Sequence, residues 1–182
     1  MANDAENIVV AANGYVAIAP VGTALPTDAV AALDPAFTEL GYLTEDGVSF
    51  APSLTVEEIG AWQSLAPVRT LLTEYGIEIS MTLMEWTEQN LVLAFGGGQF
   101  TDNGDGTWDF LLPLPGERVP WSVIIEGQDG DNRYRIVLER VELTDAGETT
   151  FQKGDASGFP ITMKALAGAD GRPGAIYGSV AA

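Results

Sequence analysis

Three carboxylates, Asp102, Asp105 and Asp109, share a glycine-rich stretch, Asp102-Asn103-Gly104-Asp105-Gly106 followed by Thr107-Trp108-Asp109. Clustered carboxylates are what a hard cation such as calcium requires. The register is wrong for a calcium loop, whose ligands alternate along the loop and end in a glutamate. These acids therefore read as a polar hairpin tip, as do Asp129 and Asp131. Gly96-Gly97-Gly98 could cradle a phosphate only if it preceded a helix and ran into Gly-Lys-Ser/Thr. It follows a helical stretch instead, and reads as a helix C-cap and sharp turn. Glu57/Glu58 and Glu139/Glu142 are the remaining pairs with the chemistry for general acid–base work, but nothing around them specifies a reaction. The chain has neither Cys nor His, which removes thiol catalysis, disulfides, most zinc sites and histidine acid–base chemistry. The expectation is no enzyme, no cofactor and no metal.

The elements that position these residues are legible from periodicity. Ile77, Ile79, Met81 and Leu83 alternate with Glu78, Ser80 and Thr82, the two-residue period of a strand with one buried face. After Trp86 the pattern turns helical: Thr87 is a plausible N-cap, Leu91, Leu93, Ala94 and Phe95 follow, and the glycine run stops the helix. A first short strand is expected at Tyr15–Ala19, ended by Pro20, and a long Ala/Pro/Asp surface connection from Thr23 to Ala36. Glu39–Leu43 reads as a second strand turning at Glu45-Asp46-Gly47 into Val48–Leu54, because Asp-Gly between alternating stretches is a hairpin signal. Further strands are expected at Gln99–Thr101 with Thr107–Leu112, at Trp121–Glu126 with Arg133–Leu143, and at Phe159–Leu166. In the Arg133–Leu143 strand, Arg133, Arg135 and Glu139 alternate with Tyr134, Ile136 and Leu138, implying one buried and one charged face. Glu148–Gln152 is short and half polar, and Asp170–Gly178 is a turn plus a short apolar segment.

From Thr55 to Tyr75 the period weakens although large apolar residues continue. A long loop or extended hairpin carrying Trp62, Leu65 and Val68 fits better than a core element, and segments of this size usually bind something. In an assembly these side chains would anchor a neighbour, Trp62 foremost. The fold expected is mainly β: an antiparallel β-sandwich or partly closed barrel with one short flanking α-helix, a long mid-chain loop and extended N- and C-terminal arms.

Composition sets the class of partner. In 182 residues, 26 acidic side chains face 8 basic ones, a formal charge of −18, and no Lys or Arg precedes Arg69. Gripping nucleic acid needs cations to neutralise phosphate, so the balance argues against direct gripping, but not against a surface that nucleic acid passes without sticking. Hydrophobic residues make up 46% and charged residues only 19%. With that balance, uncharged surface points to interface. The N-terminus lacks the basic region of a signal peptide, and no apolar run is long enough to span a bilayer. Synthesis in the cytoplasm is the expectation.

Taken together, Val9 to Pro20, Leu33 to Val48, the Ile77 to Phe95 unit and the Phe159-Pro160-Ile161 strand resemble the major tail tube proteins of long, flexible-tailed (siphovirus-like) bacteriophages, particularly those of actinobacterial hosts. The resemblance implies one tail tube domain over residues 1–182, six copies of which form a ring, with rings stacking into the channel through which the genome leaves the capsid. Residues 1–13, the segment 49–75 and residues 170–182 would then connect subunits, adding Tyr15, Arg69, Ile176 and Tyr177 to the contacts named above. Lumen candidates are Glu78, Ser80 and Thr82, and Glu126 or Glu139, because an acidic lining repels phosphate. The implied partners are further copies of the chain and the tape measure, tail-tip and tail terminator proteins, with DNA passing unbound and the virion tail as the location. Alternatives are a terminator or adaptor ring, the inner tube of a contractile machine, and a carbohydrate- or protein-binding β-sandwich.

Overall fold

The computed structural model describes residues 8–154 and 156–179, which form ten strands and one helix. In chain order these are β1 (Asn13–Pro20), β2 (Thr38–Glu39), β3 (Leu43–Ala61), β4 (Ser64–Leu83), α1 (Glu88–Phe95), β5 (Gln99–Asp102), β6 (Trp108–Leu111), β7 (Trp121–Asp129), β8 (Asn132–Ala146), β9 (Phe159–Ala165) and β10 (Gly174–Ser179). One antiparallel sheet runs β2-β1-β7-β8-β9-β4-β3, and β5 and β6 form a separate hairpin. β8 is long enough to serve two neighbours along one edge. Arg133–Leu138 pair with β10, and Val141–Ala146 pair with β9.

The alternating residues of β4 and β9 meet as expected. Ile79, Met81 and Leu83 pack with Phe159, Ile161 and Met163, and with Val16, Ile18, Val123 and Val141. The helix lays Leu91, Leu93 and Ala94 into this core. Thr87 accepts the Asn90 amide at 3.3 Å. Gly96, at φ +74°, ends the helix with its N–H on the Leu93 carbonyl while Gly97 donates to Val92. That pair of bonds is the Schellman closure, which needs a left-handed residue.

The sheet is not a closed barrel, but residues 40–42 bridge its two outer edges. Leu40 N–H donates to Val16 on one side, and Met84 N–H donates to Tyr42 on the other. Asn90, fully buried, pins this bridge: its Nδ2 donates to the Leu40 and Glu85 carbonyls, both at 2.9 Å. Asn90→Leu removes both donors while keeping the volume apolar. Losing partners for buried carbonyls costs about 1–3 kcal/mol each. A fall in Tm of roughly 5–15 °C is expected by calorimetry; an unchanged Tm would mean the bridge does not depend on Asn90.

Several expectations are corrected. The second strand is only Thr38–Glu39, because the chain turns at Gly41 (φ +75°), whose missing side chain makes room for the Glu85 carboxylate. Glu45-Asp46-Gly47 is not a hairpin turn. β3 runs through it, and the pairing jumps from Leu43–Leu83 to Val48–Met81, leaving a bulge with Gly47 at φ +66°. A bulge and a hairpin turn make the same demand for a left-handed residue. β7 extends to Asp129, so its turn is only Gly130-Asp131. The short, half-polar Glu148–Gln152 segment carries no regular structure, and its Phe151 packs on Trp86 with ring centres 5.4 Å apart.

The arms also differ from expectation. Residues 174–179 are not an extended arm but a strand on β8. Residues 8–12 carry no regular structure and are exposed, with Val10 N–H bonded to Asp129 Oδ2 at 2.9 Å. The outer parts of both proposed arms, 1–7 and 180–182, lie outside the described residues.

A candidate assembly surface

Of the two forms expected for the segment 49–75, loop or extended hairpin, it takes the hairpin: it is most of a β-ribbon made by β3 and β4 that leaves the body beyond Gly76. Residues opposite one another in an antiparallel pair share a face. Val48–Met81, Phe50–Ile79 and Pro52–Ile77 lie on the core side. The same face continues outward as Leu54–Tyr75 and Val56–Leu72. The core stripe thus runs off the body and out along the ribbon, where all four of these outer side chains are exposed. At the tip Trp62 is 98% exposed and Leu65 fully so, with Val68 and Arg69 exposed behind them. None folds back on the body. A two-stranded ribbon is marginal in water, and a patch of this kind marks a partner surface. From Ile59 to Val68 the tip carries no charge at all.

On the opposite face of the same strands, Glu78, Ser80 and Thr82 stand together, as their alternation required. Ser49 and Ala51 flank them on β3, and Lys164, Thr162 and Pro160 on β9. Ser80 and Thr162 share a hydroxyl hydrogen bond at 3.2 Å. Lys164 is paired with Glu74 at 3.4 Å, which masks the one cation among these residues. The result is a hydroxyl- and acid-bearing sheet face.

Glu126 and Glu139 are elsewhere. Glu126 pairs with Arg135, whose Nε donates to it at 2.7 Å. Arg135 is buried, not on a solvated face: its Nη1 donates to the Asp28 and Ala31 carbonyls at 2.9 and 2.8 Å. Those carbonyls belong to a turn closed by the Asp28 carboxylate, which accepts the Val30 and Ala31 amides and is thereby held below the usual carboxylate range. Tyr15 donates to Glu126 as well. Burial first, and then the bond to Glu126 and its charge, push the Tyr15 phenol up to about 12, so it remains a donor through neutral pH. Arg135 therefore clamps the Ala/Pro-rich connection over β7 and β8. Its role was invisible in the alternation of β8, because the cover comes from a segment a hundred residues away. Glu139 is half-buried and accepts the Ala169 amide at 3.0 Å. Ile176, on β10, is exposed, whereas Tyr177 is half-buried opposite Arg135.

The remaining acids are engaged locally. Asp102 accepts the Gly104 amide, Asp109 accepts Asn103 Nδ2, and Asp105 accepts the Thr107 amide and hydroxyl. The two bonds from Thr107 hold Asp105 below its ordinary range. Glu57 and Glu58, adjacent on a strand, point to opposite faces. Glu142 pairs with Arg140 at 2.9 Å. Among the described residues, no helix is long and apolar enough to cross a membrane.

A family model described as phage tail tube protein matches residues 1–177. No curated protein matches the chain.

Proposed function

This chain belongs to the phage tail tube proteins, a structural family of the virion tail, and we propose that six copies close into a ring whose stacks form the channel for genome delivery. The observation that carries this reading is the uncovered β3–β4 ribbon. Its apolar face continues the core and has no cover among the described residues, so a neighbouring copy supplies the cover. Residues 1–182 act as one unit in this reading. Trp62, Leu65, Val68 and Arg69 are the contacts best placed to reach across, with Ile176 exposed on β10 to meet them. The segment resemblance supports a long, flexible tail and an actinobacterial host, with tape measure, tail-tip and terminator proteins as partners and synthesis in the host cytoplasm.

The channel wall would be the face carrying Glu78, Ser80 and Thr82. Its acids repel phosphate, and its hydroxyls offer no fixed positive charge to trap a passing strand. Glu126 is a poor candidate because Arg135 occupies it, and Glu139 because it holds the Ala169 amide.

Glu78 is exposed and makes no ion pair among the described residues; Glu78→Lys faces Lys164 across the β4–β9 pair, a like-charge cost of about 0.2–1 kcal/mol that leaves the fold intact. Tubes are expected to form, and DNA release from phage carrying the variant is expected to slow, more so at low salt. Release at the wild-type rate would remove this face from the channel.

A further inference from the structure

Resting on the tube reading, we infer that the tip of the ribbon seats in a groove at the root of the same ribbon on a neighbouring copy. The groove lies between β10 and the base of β3 and β4, has a volume of about 370 Å³, and is walled by Phe50, Tyr75, Ile77, Ile136, Pro173 and Ile176. It is the place where the core face opens to solvent, since Ile136 and Ile77 pack on the core while Phe50, Tyr75 and Ile176 are exposed. Past Phe50 and Ile136 it continues into a second groove of about 470 Å³ beside exposed Tyr42.

Three observations select the occupant. The groove wall is apolar except for Arg172 at its rim, which Asp170 already neutralises, so the occupant presents large apolar side chains. In a chain of charge −18 most segments would bring acids with them. Ile59–Val68 brings none and offers Trp62 and Leu65 unencumbered. The uncharged residues 8–12 are the chain's own alternative, but Val9 and Ala11 already line the second groove of their own copy and leave the first open. Finally, the tip cannot enter its own groove. Tyr75 stands at the ribbon's root, and ten residues of paired strand place Leu65 roughly 33 Å away at about 3.3 Å per residue. A paired ribbon does not double back over that distance, so the tip belongs to another copy. Tip-to-root contact joins two different surfaces, and such a contact propagates into rings or filaments instead of stopping at a dimer.

The absence of native Cys makes the test clean. Leu65→Cys protein and Ile176→Cys protein are mixed, assembled on tail-tip complexes and oxidised, beside a second mixture of Leu65→Cys with Leu114→Cys. Leu114 is equally exposed but lies beside the C-terminal end of α1. A covalent dimer from the first mixture and none from the second is expected. Tubes that form without that dimer would overturn the seat and leave the tube reading standing, whereas no self-association of the wild-type chain under any condition would sink both. As a check independent of oxidation, Ile176→Glu is expected to raise the assembly threshold at least tenfold with the Tm of the unassembled chain unchanged. Leu65→Lys added to it is expected to recover part of that loss, and a threshold unmoved by Ile176→Glu would overturn the seat.

Discussion

Trp62→Asp is expected to yield a folded chain, with the thermal stability of the parent, that no longer forms tubes. Trp62 is 98% exposed at the ribbon tip, so replacing it removes nothing from the core. Surface changes of this kind stay within about 0.5 kcal/mol. The assembled state is different. A tryptophan buried at the centre of an interface contributes about 2 kcal/mol or more when truncated, and an unpaired carboxylate in an apolar seat adds a desolvation cost. Even Trp62→Ala should therefore raise the assembly threshold roughly thirtyfold, since each 1.4 kcal/mol is about a factor of ten. The aspartate should abolish assembly at any practical concentration. Sedimentation and electron imaging of the variant, alongside its melting curve, separate the two effects. Tubes of normal appearance from Trp62→Asp would make the tip a bystander.

The second large effect concerns the chain alone. Arg135→Ala leaves the Glu126 carboxylate and two turn carbonyls, Asp28 and Ala31, without the guanidinium that joins them. Breaking a buried pair by removing one partner costs about 3–5 kcal/mol, because the other charge stays buried. For a chain of this length that corresponds to a fall in Tm of roughly 10–15 °C. Arg135→Lys should recover little, since one ammonium cannot reproduce the fork that reaches Glu126 and both carbonyls. Arg135→Met combined with Glu126→Leu should recover most of the loss, because no charge is then stranded. A wild-type Tm for Arg135→Ala, measured by calorimetry, would show that the connection holds its place over β7 and β8 without the clamp.

What the sequence made legible, and what it hid, follows from where each signal originates. The switch of period at Trp86 placed α1 and the body half of β4, Ile77–Leu83, almost to the residue, because Ile79, Met81 and Leu83 face one continuous core, and Thr87 and Gly96 cap locally. β9 was readable for the same reason. The ribbon was harder to read. Neither of its faces is covered by other described residues, so selection for alternation is weak and Thr55–Tyr75 reads equally as loop or hairpin. Asp46-Gly47 misled because the left-handed residue it supplies serves a bulge as well as a turn. Arg135 was misplaced on a solvated face since its cover, the Asp28–Ala31 turn, is remote in sequence. β10 hid behind glycines and needs its partner β8 to become a strand at all. Of the lumen candidates, Glu78, Ser80 and Thr82 stay together because they alternate on one strand. Glu126 and Glu139 depend on tertiary partners that no local pattern announces.

The most direct test of the central claim is cryo-electron imaging of the purified chain across a concentration series, with and without tail-tip complexes. The account predicts stacked rings or hollow tubes, with the β3–β4 ribbon bridging copies and Glu78, Ser80 and Thr82 on the channel wall. A strict monomer or a closed trimer at high concentration, unchanged when tail-tip complexes are added, would contradict it.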